Sequence, residues 1–183
     1  MKKILVCLAA LMLCSMFTTP ALAARHKVPV YPNKETTVDM SKMNRIFIGW
    51  VDMNADDWGA HGYATKQEWM DVIASLNSSL NSNLIATDLT GRTVVPAKNA
   101  DDVNAKDCDL YVKFTDVRVD YDNYHLILAI HFIDPKTGQE IGSIPVRPYY
   151  GNDWGLRGYL NEALKGVAAK LKVEITAEPG KKH

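Results

Sequence analysis

Apolar positions change period several times along this chain, and each change predicts an element. Arg45-Ile46-Phe47-Ile48-Gly49-Trp50-Val51 is rich in β-branched and aromatic residues and reads as a strand. A polar loop, 52–64, leads to Thr65-Lys66-Gln67-Glu68, a capping box in which hydroxyl and carboxylate each serve the other residue's amide. Trp69, Val72, Ile73, Leu76, Leu80 and Leu84 then recur at threes and fours, one stripe of an amphipathic helix. Lys66, Asp71, Ser78 and Asn81 fall on its polar side.

Gly91 ends that stretch, and Thr93-Val94-Val95 before Pro96 is a short second strand. Residues 97–107 are a polar connection. Cys108, Leu110, Val112 and Phe114 alternate with polar neighbours, and the alternation changes phase at Val117 and Val119, which predicts a bulged third strand. Residues 124–133 are apolar on both faces, as in a central strand. Asp134-Pro135-Lys136-Thr137-Gly138 is a hairpin turn, because Pro presets φ and Gly admits φ > 0. Ile141, Ile144 and Val146 form a last strand that Pro145 and Pro148 mark as an edge. A closing helix over about 154–172 carries Leu156, Tyr159, Leu160, Ala163, Leu164, Val167 and Leu171 on one face. The order β-α-β-β-β-β-α predicts an α/β (α+β) fold spanning 44–176. It consists of a mixed sheet of about five strands, with a crossover helix, then an antiparallel meander, and two helices on one face.

The ends of the chain change the picture from fold to location. Met1-Lys2-Lys3 is a basic opening, 4–17 are apolar, and Ala21-Leu22-Ala23 is an A-x-A site, so residues 1–23 read as a signal peptide cleaved near Ala23. That run is shorter than the ~20 residues of a membrane span. Residues 24–43, with Pro29 and Pro32, are an extended lead-in, and 177–183 a disordered tail. Lys/Arg and Asp/Glu number 21 each, and loss of Lys2 and Lys3 leaves a small acidic excess. Without a basic run, nucleic acid and anionic lipid are not expected partners. Cys7 and Cys14 leave with the signal, so Cys108 has no internal disulfide partner, and its strand parity makes it a buried small apolar residue.

The element order resembles a group of small bacterial envelope modules. These are the activator lipoproteins of peptidoglycan synthases, the amino-terminal domain of TolB, and the curli-secretion lipoprotein family. The phrases that carry the resemblance are the strand Arg45–Val51, the helix Gln67–Leu84, and the opener Asp107-Cys108-Asp109-Leu110-Tyr111-Val112. The hairpin Asp134-Pro135-Lys136-Thr137-Gly138-Gln139-Glu140-Ile141 and the closing helix complete them. The resemblance covers most of 44–176. It implies binding to other envelope proteins and brings no catalytic residues. The activator and curli families are usually lipid-anchored. Here Leu11-Met12-Leu13 precede Cys14, where a lipobox takes a small residue directly before the cysteine.

The candidate chemistry lies in a repeat. Asp57-Trp58-Gly59-Ala60-His61-Gly62-Tyr63 and Asp153-Trp154-Gly155-Leu156-Arg157-Gly158-Tyr159 both read D-W-G-x-x-G-Y, each between a strand and a helix. If the two strands run parallel, both loops lie at one end of the sheet beside helix N-termini, which offer amides and partial positive charge. With Trp50, Tyr149 and Tyr150 alongside, the candidate binding residues are Trp58, His61, Tyr63, Tyr149, Tyr150, Trp154, Arg157 and Tyr159, suited to a glycan or peptide. The competing reading makes these aromatics core plugs at strand-to-helix turns.

Asp52-Met53-Asn54-Ala55-Asp56 opens like a calcium loop, but Asp57 stands where Gly is needed and Tyr63 where the bidentate Glu belongs. His125 and His131 are six residues apart on one strand, ~20 Å, too far to share a metal. No nucleophile elbow, zinc-helix, P-loop or dinucleotide-binding glycine pattern occurs, so neither a metal nor a cofactor is expected. The functional expectation is a non-catalytic periplasmic envelope protein binding a partner protein or peptidoglycan. The alternatives are an enzyme or small-ligand carrier using Asp57, His61, Asp153 and Arg157, and a structural subunit of a larger assembly.

Overall fold

The computed structural model describes residues 38–86, 89, 91–120, 123, 125–149 and 155–177, all of which belong to one unit, 31–183. Residues 1–37, which hold the expected signal segment and most of the expected lead-in, lie outside the described residues, as do Tyr150, Trp154 and residues 178–183. Strands β1 (Arg45–Ile48), β2 (Thr93–Pro96), β3 (Leu110–Asp120), β4 (His125–Ile133) and β5 (Glu140–Val146) and helices α1 (Lys66–Ala86) and α2 (Leu156–Thr176) follow the predicted order. They form a mixed α/β fold with one five-stranded sheet ordered β2-β1-β3-β4-β5.

β1 and β2, joined by α1, are parallel, and β3, β4 and β5 form the expected antiparallel meander; what spacing does not give is the place of β2. β3 does not pair with β2. It pairs in parallel with β1, which lies between them, and only β3, β4 and β5 are antiparallel. The chain after β2 returns over the face of the sheet away from the helices. Ala97, Ala105 and Cys108 there bury Phe47 in a small second cluster, and β-branched or apolar residues on both faces of β1 make that strand central. Gly49 serves this crowding. A Cβ there would sit 2.9 Å from the Val112 carbonyl oxygen and 3.1 Å from the Tyr111 ring.

The main core lies between sheet and helices. Every residue of the predicted α1 stripe is buried, as are Leu160, Ala163, Leu164, Val167 and Leu171 of α2. It reaches ahead of β1, because Met40, in a 3-10 turn over Met40–Lys42, is buried among them. The capping box forms as predicted. Thr65 Oγ1 accepts from the Glu68 amide at 3.2 Å, and Glu68 Oε2 accepts from the Thr65 and Ala64 amides. The β4–β5 turn closes with the Gly138 amide donating to the Asp134 carbonyl at 2.8 Å and Gly138 at φ 70°. The bulge falls between Thr115 and Arg118, where Asp116 takes φ 56°.

Both sheet edges carry a proline where its missing N–H costs no ladder bond. The Thr93 and Ala97 amides donate to β1, so Pro96 faces outward. On β5, the Leu126 amide donates to the Pro148 carbonyl, which sets the inward register and leaves Pro145 facing outward. An incoming strand meets a gap at each edge.

Candidate functional site

β1, β3 and β5 point the same way, since β4 is antiparallel to both of its neighbours. The junctions β1–α1 and β5–α2 therefore leave the same end of the sheet, which meets the condition set for the twin loops.

The first junction is built on Trp69. Its indole is fully buried and its Nε1–H donates to the Asn54 carbonyl at 3.0 Å. His61 stacks on it at 4.3 Å between centroids, and Tyr63 lies tilted against it at 5.3 Å. Asn54 caps a 3-10 turn, Ala55–Trp58, by accepting from the Asp56 amide, and its Nδ2 donates to Asp57 Oδ1. At the surface Asp56 takes the ammonium of Lys66, the first residue of α1, at 2.7 Å. Trp58, Tyr63 and Tyr159 are half-buried and pack on the main core, so the core-plug reading holds for part of each ring while the rest faces solvent. The Tyr63 amide donates to the Trp58 carbonyl, closing the loop.

The second junction reaches the first through Arg157. Its Nη2 donates to Ser75 Oγ of α1 at 2.6 Å. Burial raises the Tyr63 pKa, and the Arg157 cation, close enough to act on the phenol, opposes that rise. Beyond Arg157 an open polar groove of about 500 Å³ runs between the helices, lined by Ser78, Ser79, Ser82 and Asn83 on one side and Gly158, Asn161, Glu162 and Lys165 on the other.

Trp58, His61, Tyr63, Arg157 and Tyr159 thus occupy the helix side of this sheet end. Tyr149 does not join them. It follows β5 at the opposite edge, pairs with His125 across an isolated bridge, and sets its ring edge-on to that imidazole at 5.7 Å. Tyr150, Trp154 and Asp153 lie outside the described residues. Cys108 is buried, and burial pushes its thiol pKa up. His131 bridges Thr115 Oγ1 at 2.9 Å and Glu140 at 2.8 Å on the face away from the helices. Among the described residues no cluster of three His, Cys, Asp or Glu can hold a metal, and no helix is long and apolar enough to cross a membrane.

Burial lowers the His61 pKa from its ordinary 6.5, and the nearby Asp57 carboxylate opposes that. A histidine held neutral in the fold gives stability that is complete above 6.5 and is lost as pH falls through the lowered folded value. Acidification below pH 6.5 is therefore expected to loosen residues 52–65 ahead of the core. Amide exchange of that segment, in wild type and His61→Phe, checks this, and equal acid sensitivity in both proteins refutes it.

No family model and no curated protein matches the chain. Among solved structures it is similar to the PelC dodecamer from Paraburkholderia phytofirmans at 12% identity, covering 79% of this chain and 96% of that one with a TM-score of 0.41. A leucine-to-methionine variant of that dodecamer aligns at 12% identity over 73% and 90% of the two chains with a TM-score of 0.39. A Helicobacter pylori protein assigned as a neuraminyllactose-binding hemagglutinin homolog aligns at 15% identity over 80% and 88%, with a TM-score of 0.38. At this level of likeness the function has to be read from the chain's own residues.

Proposed function

We propose that this chain is a non-catalytic periplasmic envelope protein. In this reading it binds a partner protein or cell-wall component through the surface shared by the D-W-G-x-x-G-Y loop of the first junction and the start of α2. The observation that carries the reading is the meeting of the two junctions. Arg157 from one repeat is anchored on Ser75 and acts on Tyr63 from the other, beside the half-exposed rings of Trp58 and His61. Rings held by a core and flanked by a cation offer contact area at little entropic cost. The signal-like segment 1–23 and the resemblance to envelope modules support the location.

A second reading, a small-ligand carrier or enzyme, is favoured by the polar groove that opens beside Arg157 and by the Asp57 charge acting on His61. Affinity capture of residues 24–183 from native envelope after mild crosslinking tests the two, with wild type beside the Trp58→Ala/Trp154→Ala double variant. A partner held by wild type and lost by a variant of unchanged melting temperature supports the binding surface. Loss of capture only in step with loss of stability makes the rings core residues. No partner with either protein favours the second reading.

A further inference from the structure

Past Arg157 the two helices part. Arg157, anchored on Ser75 Oγ of α1, stands between the aromatic loop and the groove, close enough to Tyr63 to act on its phenol. From there the groove of about 500 Å³ runs between the polar face of α1, from Ser78 to Asn83, and that of α2, from Gly158 to Lys165. Its α2 wall is about two helical turns long, roughly 10 Å. All of its lining residues are exposed or half-buried, so the walls are open to solvent. Its volume falls within the ~300–1,000 Å³ of ligand clefts.

Most clefts of this size are lined by apolar side chains, whereas hydroxyls and amides line this one. Ser82 Oγ donates to the Ser78 carbonyl at 2.9 Å, and Asn83 Nδ2 to the Ser79 carbonyl at 2.9 Å. Each keeps capacity for a ligand. The hydroxyl oxygen still accepts, and the amide retains a second N–H and its carbonyl oxygen. Ser78, Ser79 and Asn161 add two hydroxyls and a further amide. The charges in the wall answer each other, since Lys165 Nζ donates to Glu162 Oε1.

These walls select the occupant. A peptide strand needs a sheet edge, and both walls are helices whose backbone groups are bonded within the helix. A docking helix needs an apolar groove, and this one is polar. A polyanion needs open cations, and here Lys165 is held by Glu162, whose own charge repels an anionic chain. An uncharged chain rich in hydroxyls, each donor and acceptor at once, matches side-chain hydroxyls and amides. We propose that the groove between α1 and α2 is a cleft for a neutral oligosaccharide, whose leading ring passes Arg157 and lies on the exposed part of the Tyr63 ring. The proposal rests on reading the loop surface as a cell-wall contact, and adds the chemical class of the ligand and the groove that holds it.

An NMR titration of residues 24–183 tests it, with chitotetraose and cellotetraose as neutral probes and tetragalacturonate and a glycine–serine tetrapeptide as controls. At least one neutral sugar is expected to shift the amides of 78–83 and 158–165 together with that of Tyr63, and the controls to leave them in place. Ser82→Arg lays a long side chain across the groove from an exposed helical position, with a better helix former. It is expected to weaken the sugar about tenfold at an unchanged melting temperature. Ser78→Arg, one turn earlier and also exposed, decides the matter should Ser82→Arg melt early. Neither change touches the loop rings, so protein capture by both variants should match wild type. No shift with either neutral sugar at millimolar ligand, or shifts confined to other residues, overturns the proposal. Equal binding of tetragalacturonate or the tetrapeptide, or unchanged sugar affinity in a folded groove variant, also overturns it. A protein partner that is still captured while no sugar binds overturns this proposal alone and leaves the loop surface as a protein site.

Discussion

Trp69→Ala is expected to cost about 3–5 kcal/mol, the range for removing a fully buried large aromatic side chain. Against the roughly 5–15 kcal/mol of a typical domain this is a large share of the total, and the variant should be partly unfolded near 37 °C. Three losses combine. The indole is wholly buried in the first turn of α1, its Nε1–H holds the Asn54 carbonyl, and the rings of His61 and Tyr63 lie on its faces. Trp69→Phe separates them by keeping most of the apolar volume while deleting the donor. Its cost should be about 1–2 kcal/mol, because exposed Asn54 lets water reach the freed carbonyl. Urea denaturation followed at the far-UV helix signal measures both. A shift below about 1 kcal/mol for Trp69→Ala would mean that the loop is held from elsewhere. Partner capture should fail in Trp69→Phe more than its stability loss accounts for, since the deleted Nε1–H is what holds Asn54, the cap of the turn that carries Trp58.

Trp69 shows what was legible in the chain. The α1 stripe, the capping box, the 134–138 turn and the phase change at Val117 all depend on neighbours within a few residues, and each appears where the spacing puts it. Spacing cannot say which strand pairs with which. β2 is four residues long and carries apolar residues on both faces, so its pattern fits a meander as well as an edge beyond β1. The candidate site was half legible for the same reason. The repeated D-W-G-x-x-G-Y motif located both junctions. Only the common direction of β1 and β5 brings Arg157 to Ser75, and only the sheet register carries Tyr149 to the far edge. Asn77 carries a signal of its own in the sequence. A polar residue between Leu76 and Leu80, four places after Ile73, stands within the apolar stripe and must find partners there.

Those partners make Asn77 the second position of large effect. Its side chain is buried and fully used. Oδ1 accepts from the Val51 amide at 2.7 Å, and Nδ2 donates to the carbonyls of Val51 and Ile73 at 3.0 Å each. Val51 is buried just past the end of β1, where the chain has left the sheet and no strand serves its amide and carbonyl. Asn77 supplies what a neighbouring strand would, and so fixes the direction in which residues 52–64 set out. Asn77→Leu strands two buried backbone groups at roughly 1–3 kcal/mol each and should cost about 2–5 kcal/mol despite its greater apolarity. Asn77→Asp changes one atom and reads out the same clamp by pH. A buried carboxylate can still accept from the Val51 amide, but it faces two carbonyl oxygens to which only a protonated acid can donate. Burial and that repulsion raise its folded pKa above the unfolded ~3.9. For an acid shifted in this direction, stability is retained below the unfolded value and lost as pH rises through the folded one. The gap between wild type and Asn77→Asp should therefore be small near pH 4 and widen toward pH 7, as read from urea midpoints of the two proteins side by side. A gap that does not change with pH would mean the residue fills space and does not hold Val51. In that case the loop surface must be positioned by Trp69 alone, and Asn77 variants that fold should capture the partner as wild type does.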